Sequence, residues 1–222
     1  MAVLVRVWDA PTRLFHWALA LCFVGLLVTS QIGGAAMDWH FRFGYGVLTL
    51  LLFRFVWGLL GGHWSRFSTF VVGPRLIWRY LQGQGKPQDS VGHNPLGALS
   101  ILAILVMLVL QVTSGLMSDD EVSAAGPLTR FIPSVWVGNA TFYHKEIGKI
   151  ILLGLVVLHL LALAFYFFRK HENLVKPMIT GDKLLDFAAP NARDAWPERR
   201  RAALIFLLCL ALVSGAVIGF DG

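Results

Sequence analysis

Tyr143-His144-Lys145-Glu146-Ile147-Gly148-Lys149 leads into Ile150-Ile151-Leu152-Leu153-Gly154-Leu155-Val156-Val157-Leu158-His159-Leu160, and the chain then reaches Phe168 with no Asp, Glu, Lys or Arg after Lys149. From Ile147 to Phe168 the run has the length, about 20 residues, that an α-helix needs to cross roughly 30 Å of hydrocarbon. Four other runs have the same character: Leu14 to Ile32, Phe43 to Leu60 with Arg54 inside it, Pro95 to Met117, and Ala202 to Phe220. Of the 222 residues 56% are hydrophobic and 14% charged. A soluble domain carries about 25% charged residues, so a water-soluble globule is excluded and an all-α integral membrane helical bundle is predicted.

The 19 Lys and Arg segregate by loop. Arg6, Arg13, Arg66, Arg75, Arg79, Lys86, Arg169, Lys170, Lys176, Lys183, Arg193, Arg199, Arg200 and Arg201 fall before the first run, between the second and third, or between the fourth and fifth. Arg42, Arg130, Lys145 and Lys149 fall on the other side. Positive charge marks the cytoplasmic side, so the N-terminus is expected in the cytoplasm and Gly222, after an odd number of spans, outside. The net charge of +6 therefore reports topology in a lipid surround, and no nucleic-acid partner is expected. The first run is long and opens with Phe15-His16-Trp17, which fits an uncleaved anchor better than a signal peptide. Cys22 and Cys209 lie inside apolar runs and behave as small hydrophobes. Trp64 to Leu81 and Leu174 to Phe187 mix apolar and basic residues and are expected as short amphipathic helices on the cytoplasmic surface. The outer loop, Ser118 to Tyr143, carries Asp119, Asp120 and Glu121 and either docks a partner or caps the bundle.

Ionisable residues in hydrocarbon are expensive and point to function. Four histidines lie there: His16 near the start of the first helix, His40 just before the second, His144 at the start of the fourth, and His159 deep within it. On an ideal helix His144 and His159 stand about 22 Å apart along the axis and about 60° around it. They share a face at opposite depths, and the topology pairs His16 with His159 and His40 with His144. Paired imidazoles at two levels suit two six-coordinate b-type haems, each iron taking four nitrogens from the porphyrin and two from histidine. No Cys-x-x-Cys-His is present, so such haems are held without thioether bonds. The alternatives are hydrogen bonding inside the bundle, a proton path, or metal transport.

Gly44 and Gly148 each follow a histidine by four residues, where a missing side chain leaves room for a flat ring or for close helix packing. Arg54 lies about 21 Å deeper than His40 on nearly the same face. Its guanidinium either neutralises a haem propionate or snorkels to the cytoplasmic headgroups. His63, His93 and His171 fall in cytoplasmic loops or helix ends, with His93 the first reserve ligand for the inner site.

Val7-Trp8-Asp9-Ala10-Pro11-Thr12-Arg13-Leu14-Phe15-His16-Trp17, Arg54-Phe55-Val56-Trp57-Gly58, Arg66-Phe67 through Gly73-Pro74, and Gly92-His93-Asn94-Pro95-Leu96-Gly97 together resemble the prokaryotic cytochrome b561 family. The nearest branch is that of the b-type cytochrome subunits of nickel-iron hydrogenases and their stand-alone relatives. The resemblance covers about Arg6 to Gly181. It implies a four-helix di-haem core in the bacterial inner membrane, with residues 1–181 as the core, His16 and His40 as ligands from its first two helices, and His144 and His159 as the ligands from its fourth. It also implies electron exchange between the quinone pool and a periplasmic redox partner, a c-type cytochrome, dehydrogenase or hydrogenase. Asp9, Arg13, Arg54 and His93 are candidates for propionate or quinone contacts. Residues 182–222 depart from the pattern, adding an arginine-rich linker and a fifth C-terminal transmembrane helix suited to a partner subunit or a second copy.

Two other functions compete with this one. The outer haem can take electrons directly from superoxide or another small molecule, with Arg42, Arg130, Lys145 and Lys149 steering an anion, or the chain is a haem-free membrane anchor or metal transporter.

Overall fold

The computed structural model describes residues 2–122 and 124–221; Ser123 of the outer loop and Gly222, expected outside the membrane, lie outside the described residues. In chain order the elements are β1 (Val3–Arg6), α1 (Ala10–Ile32), α2 (Met37–Leu60), α3 (Phe67–Phe70), α4 (Pro74–Leu81), α5 (Pro95–Leu116) and α6 (Ser134–Phe142). A π-helical turn (Tyr143–Gly148) then joins α6 to α7 (Lys149–Arg169), followed by α8 (Val175–Thr180), β2 (Asp182–Leu185) and α9 (Trp196–Asp221). Among the described residues five helical stretches, those holding α1, α2, α5, α6–α7 and α9, are long and apolar enough to cross a membrane. The protein is an all-α, multi-pass membrane protein.

Local chemistry sets the helix ends. Asp9 caps α1, its Oδ1 accepting the Thr12 N–H at 2.8 Å, with Pro11 in the first turn where its missing N–H costs nothing. Asn94 caps α5 in the same way, accepting Gly97 N–H at 2.7 Å. Gly181 ends α8 at φ 93°, a conformation that favours glycine, and its carbonyl accepts the N–H groups of both Val7 and Trp8, at 2.9 and 3.0 Å.

The helices run further than the apolar runs indicated. α2 starts at Met37, so His40 lies inside it and not ahead of it. The fourth span is continuous from Ser134 to Arg169, which shortens the outer loop to residues 118–133. Polar residues such as Asn139 and Lys145 end a hydropathy window without ending a helix. At 1.5 Å per residue this span exceeds the roughly 30 Å of hydrocarbon, so it projects beyond it.

The expected amphipathic helix over Leu174 to Phe187 is overturned in its second half. After α8, Asp182–Leu185 is a strand paired antiparallel with Val3–Arg6, Val5 opposite Lys183. Alternation explains it: Val5, Val7 and Leu185 turn inward onto Trp8 and Val91. The helix expected over Trp64 to Leu81 is broken into α3 and α4, with Gly73-Pro74 starting the second.

The residues pack into two compact units. The first (Met1–Phe15, Arg54–Ala103, Val157–Ile205) holds the β-ribbon and an ionic clasp on Asp194. Only 4% exposed, the Asp194 side chain accepts Arg6 Nη1 at 2.7 Å, Arg199 Nε at 3.0 Å and the Ala10 N–H at 3.0 Å. Burial pushes this carboxyl up, but the hydrogen bonds from Arg199, Ala10 and Arg6 outweigh it and hold it below its ordinary 3.8. In the same unit Tyr166 Oη meets Tyr80 Oη at 2.8 Å and accepts Asn94 Nδ2 at 2.8 Å, tying α4 and the α5 cap to the end of α7. The second unit (His16–Phe53, Ile104–Val156, Phe206–Gly222) packs Phe206 of α9 edge-on to Phe53 of α2, ring centres 6.0 Å apart.

A carboxyl lowered in the folded state stabilises the fold fully above pH 3.8, and that contribution is lost as pH falls through the depressed value. Asp194→Asn is expected to melt about 2–4 °C below wild type near neutral pH, corresponding to about 1 kcal/mol of solvent-screened ion pairing. The gap should close below pH 3.8; thermal melts in detergent across pH check both.

Candidate functional site

In the second unit, α2 and the π turn bring His40 and His144 together edge-on, with ring centres 6.2 Å apart and planes at 85°. His40 Nδ1 lies 3.2 Å from the Leu26 carbonyl and His144 Nδ1 2.9 Å from the Gln111 carbonyl. A carbonyl only accepts, so each Nδ1 carries the proton and each Nε2 keeps its lone pair. A hydroxyl stands beside each contact: Thr29 Oγ1 is 3.3 Å from His40 Nδ1, and Ser114 Oγ is 3.3 Å from His144 Nδ1. Both hydroxyls donate back to their own helix, Thr29 to Gly25 O at 2.7 Å and Ser114 to Gln111 O at 3.0 Å.

The π turn changes the local geometry. It carries His144 in an i→i+5 stretch, so the arithmetic of an unbroken α-helix that set His144 and His159 about 60° apart does not hold. It also means that Gly148 is not stacked one turn from His144. A Cβ on Gly148 would collide with Gln111 and Tyr143, so that glycine serves packing and opens no room for a ring. Gly44, on the regular α2, does open: a Cβ there meets nothing within 4 Å, and it lines a cavity of about 430 Å³ with His40 and His144. Leu26, Leu108 and Gly115 supply further wall, and Lys145, Glu146 and Lys149 put charge on it.

Gln111, Ser114, Gly115 and Thr29 belong to this site and were missed. The Gln111 side chain donates from Nε2 to the His144 carbonyl at 2.9 Å. Gly115 lets the His144 ring approach, since a Cβ there would stand 2.8 Å from its Cε1. The available signal was an amide, Gln111, deep in the apolar run Pro95 to Met117.

The remaining candidates lie elsewhere. His16, in the second unit, has the Trp17 ring edge-on at 5.1 Å. His159 is half-buried on α7 in the first unit. Arg54, 4% exposed, donates to Ser65 O at 3.0 Å and lies over Phe67 at 4.7 Å, so it does not snorkel. Arg13 donates to Ile179 O and stands 3.8 Å from Asp194. His93 is held between Trp8 and Phe70, ring centres at 4.5 and 4.8 Å.

A family profile described as prokaryotic cytochrome b561 matches residues 7–181. The chain belongs to the prokaryotic cytochrome b561 family. Relatives include a "Probable Ni/Fe-hydrogenase B-type cytochrome subunit" of Azotobacter chroococcum mcd 1, 27% identical over 84% of this chain and 91% of that protein. A protein of the same name in Azotobacter vinelandii is 33% identical over 46% of this chain and 54% of its own length. The "Probable Ni/Fe-hydrogenase 1 B-type cytochrome subunit" of Escherichia coli (strain K12) is 23% identical over 79% and 88%. No solved structure matches.

This cytochrome b561 is thus a membrane b-type cytochrome of electron transfer, with haem b as its cofactor. The cavity residues fit that group. The rings of His40 and His144, their centres 6.2 Å apart, leave space for a metal ion between them, and these two side chains would hold the haem iron. An imidazole whose Nδ1–H is held by a backbone carbonyl is the tautomer that ligates through Nε2.

Gly44→Leu is expected to leave the fold intact, because no protein atom opposes the new Cβ, and to fill the cavity, so that haem bound per chain falls. Circular dichroism and haem quantification on the same preparation test it: an unchanged haem content shows that the cavity is not the binding site.

Proposed function

We propose that this cytochrome holds two haem b groups, an outer one between His40 and His144 and an inner one between His16 and His159. It carries single electrons across the bacterial inner membrane between the quinone pool and a periplasmic redox protein. The observation that carries the reading is the edge-on pair of imidazoles in the second unit, each with Nδ1 on a backbone carbonyl and Nε2 free to ligate. Haem b supplies a one-electron ferric/ferrous couple, and bis-histidine ligation leaves it no open position for oxygen.

The chain supplies the rest. Leu26 and Gln111 carbonyls fix the tautomers, Gly44 and Gly115 make room, and the apolar walls keep the dielectric low. The distribution of Lys and Arg supports a cytoplasmic N-terminus and, with it, a periplasmic position for the His40–His144 centre. A groove of about 690 Å³, lined by Asp119, Glu121 and Arg130 among others, shares Lys145 and Glu146 with the cavity. Those two residues follow His144 directly, so a partner seated in the groove lies beside the outer centre. The names of the relatives support a hydrogenase or another dehydrogenase in that role. Residues 1–181 form the electron-transfer core in this reading, and residues 182–222 an appendage to it.

Oxidised-minus-reduced spectra and haem per chain, in wild type, His144→Ala and His159→Ala, test the assignment. About two b-type haems in wild type and about one in each variant are expected. No haem, or the same count in all three proteins, overturns it.

A further inference from the structure

We propose that Gln111 is the positioning residue of the centre formed by His40 and His144, an inference that rests on reading His144 as an axial ligand. Gln111 meets His144 at both ends: its backbone carbonyl accepts Nδ1–H at 2.9 Å, and its side-chain amide donates to the His144 main-chain carbonyl at 2.9 Å. One residue therefore restrains both the ring and the backbone that carries it. The need for such a clamp comes from the π turn, whose break in the α-helical ladder releases carbonyls that require donors inside a membrane. The same face of α5 continues with Ser114, whose hydroxyl sits 3.3 Å from Nδ1, and Gly115, against which the ring lies.

The clamp bears on redox poise as well as on shape. A held Nδ1–H···O=C bond gives the imidazole anionic character and makes it a stronger donor to ferric than to ferrous iron. Releasing the backbone of His144 lengthens that bond, and the reduction potential of the centre rises.

Gln111→Met removes the donor at nearly constant length, and Gln111→Asn keeps the amide but leaves it one methylene short. Both are made in the full-length haem-loaded protein and followed by redox titration with optical and low-spin EPR detection. In the Met variant one centre is expected to lose about tenfold of its preference for the ferric state, a rise of about 59 mV for a one-electron couple. Its EPR signal shifts while the other centre keeps its potential and signal; haem loss from that one centre alone counts equally in favour. The Asn variant shows the same change in smaller measure. Wild-type titrations in both variants overturn the proposal. So does joint loss of both centres, or of the folded chain, in both variants, which makes Gln111 a folding residue. His144→Ala separates this from the parent reading: an unchanged haem count there sinks the ligand assignment, whereas loss of one haem with unmoved Gln111 variants sinks the clamp alone.

Discussion

Inside hydrocarbon a backbone N–H or C=O without a partner costs several kcal/mol, and no water is present to satisfy it. The centre in the second unit is built from such groups answering one another. The π turn departs from the regular ladder at His144, and Gln111 supplies a donor to the carbonyl there. The Gln111 and Leu26 carbonyls each take a further hydrogen bond from an imidazole, beside the one each accepts from a hydroxyl of its own helix. Thr29 and Ser114 turn their hydroxyls onto helix carbonyls and stay beside the rings. Satisfaction of the backbone thus determines which imidazole nitrogen is left with a lone pair, and so where a metal can bind.

Apart from His16-Trp17, which belong to the second unit, the motifs that carry the family resemblance meet in the first unit, and their contacts there are largely structural. Asp9, fully buried, caps α1 and accepts the Ser65 hydroxyl at 2.6 Å and the Trp57 indole N–H at 3.3 Å. Arg54, attracted by the charge of Asp9, donates to Ser65 O and lies over Phe67. Gly58 is where Phe67 packs, since any Cβ there would collide with that ring. Trp8 and Phe70 hold His93. A buried carboxylate and a buried guanidinium are costly to remove from water and persist only when hydrogen bonds surround them. Four separate stretches of the sequence therefore depend on one another, which explains why they occur together.

Much of this was legible in the residues. Five apolar runs became five membrane-length helices, because length and hydropathy decide that question in lipid. The His40–His144 juxtaposition followed from counting spans and depths. What escaped detection depends on contacts between distant segments. The pairing of Val3–Arg6 with Asp182–Leu185 joins the N-terminal segment to the stretch that follows α8, far apart in sequence, and neither strand is long enough to declare itself by alternation. The π turn has no composition of its own, and it invalidated both the angle to His159 and the role expected of Gly148. Gln111 was a visible anomaly whose partner, 33 residues away, was not visible.

The fifth helix, which lies beyond the residues 7–181 that the family profile matches, is held by its own chain at both ends. Asp194, just before it, joins Arg6 and the Ala10 N–H at the start of α1. Further along, Phe206 packs on Phe53, and Phe220 lies 5.6 Å from Phe131. Cys209 and Val213 are buried on the packed side, whereas Leu208 and Leu212 are exposed. Those leucines require an apolar surround, and lipid meets the requirement without further cost.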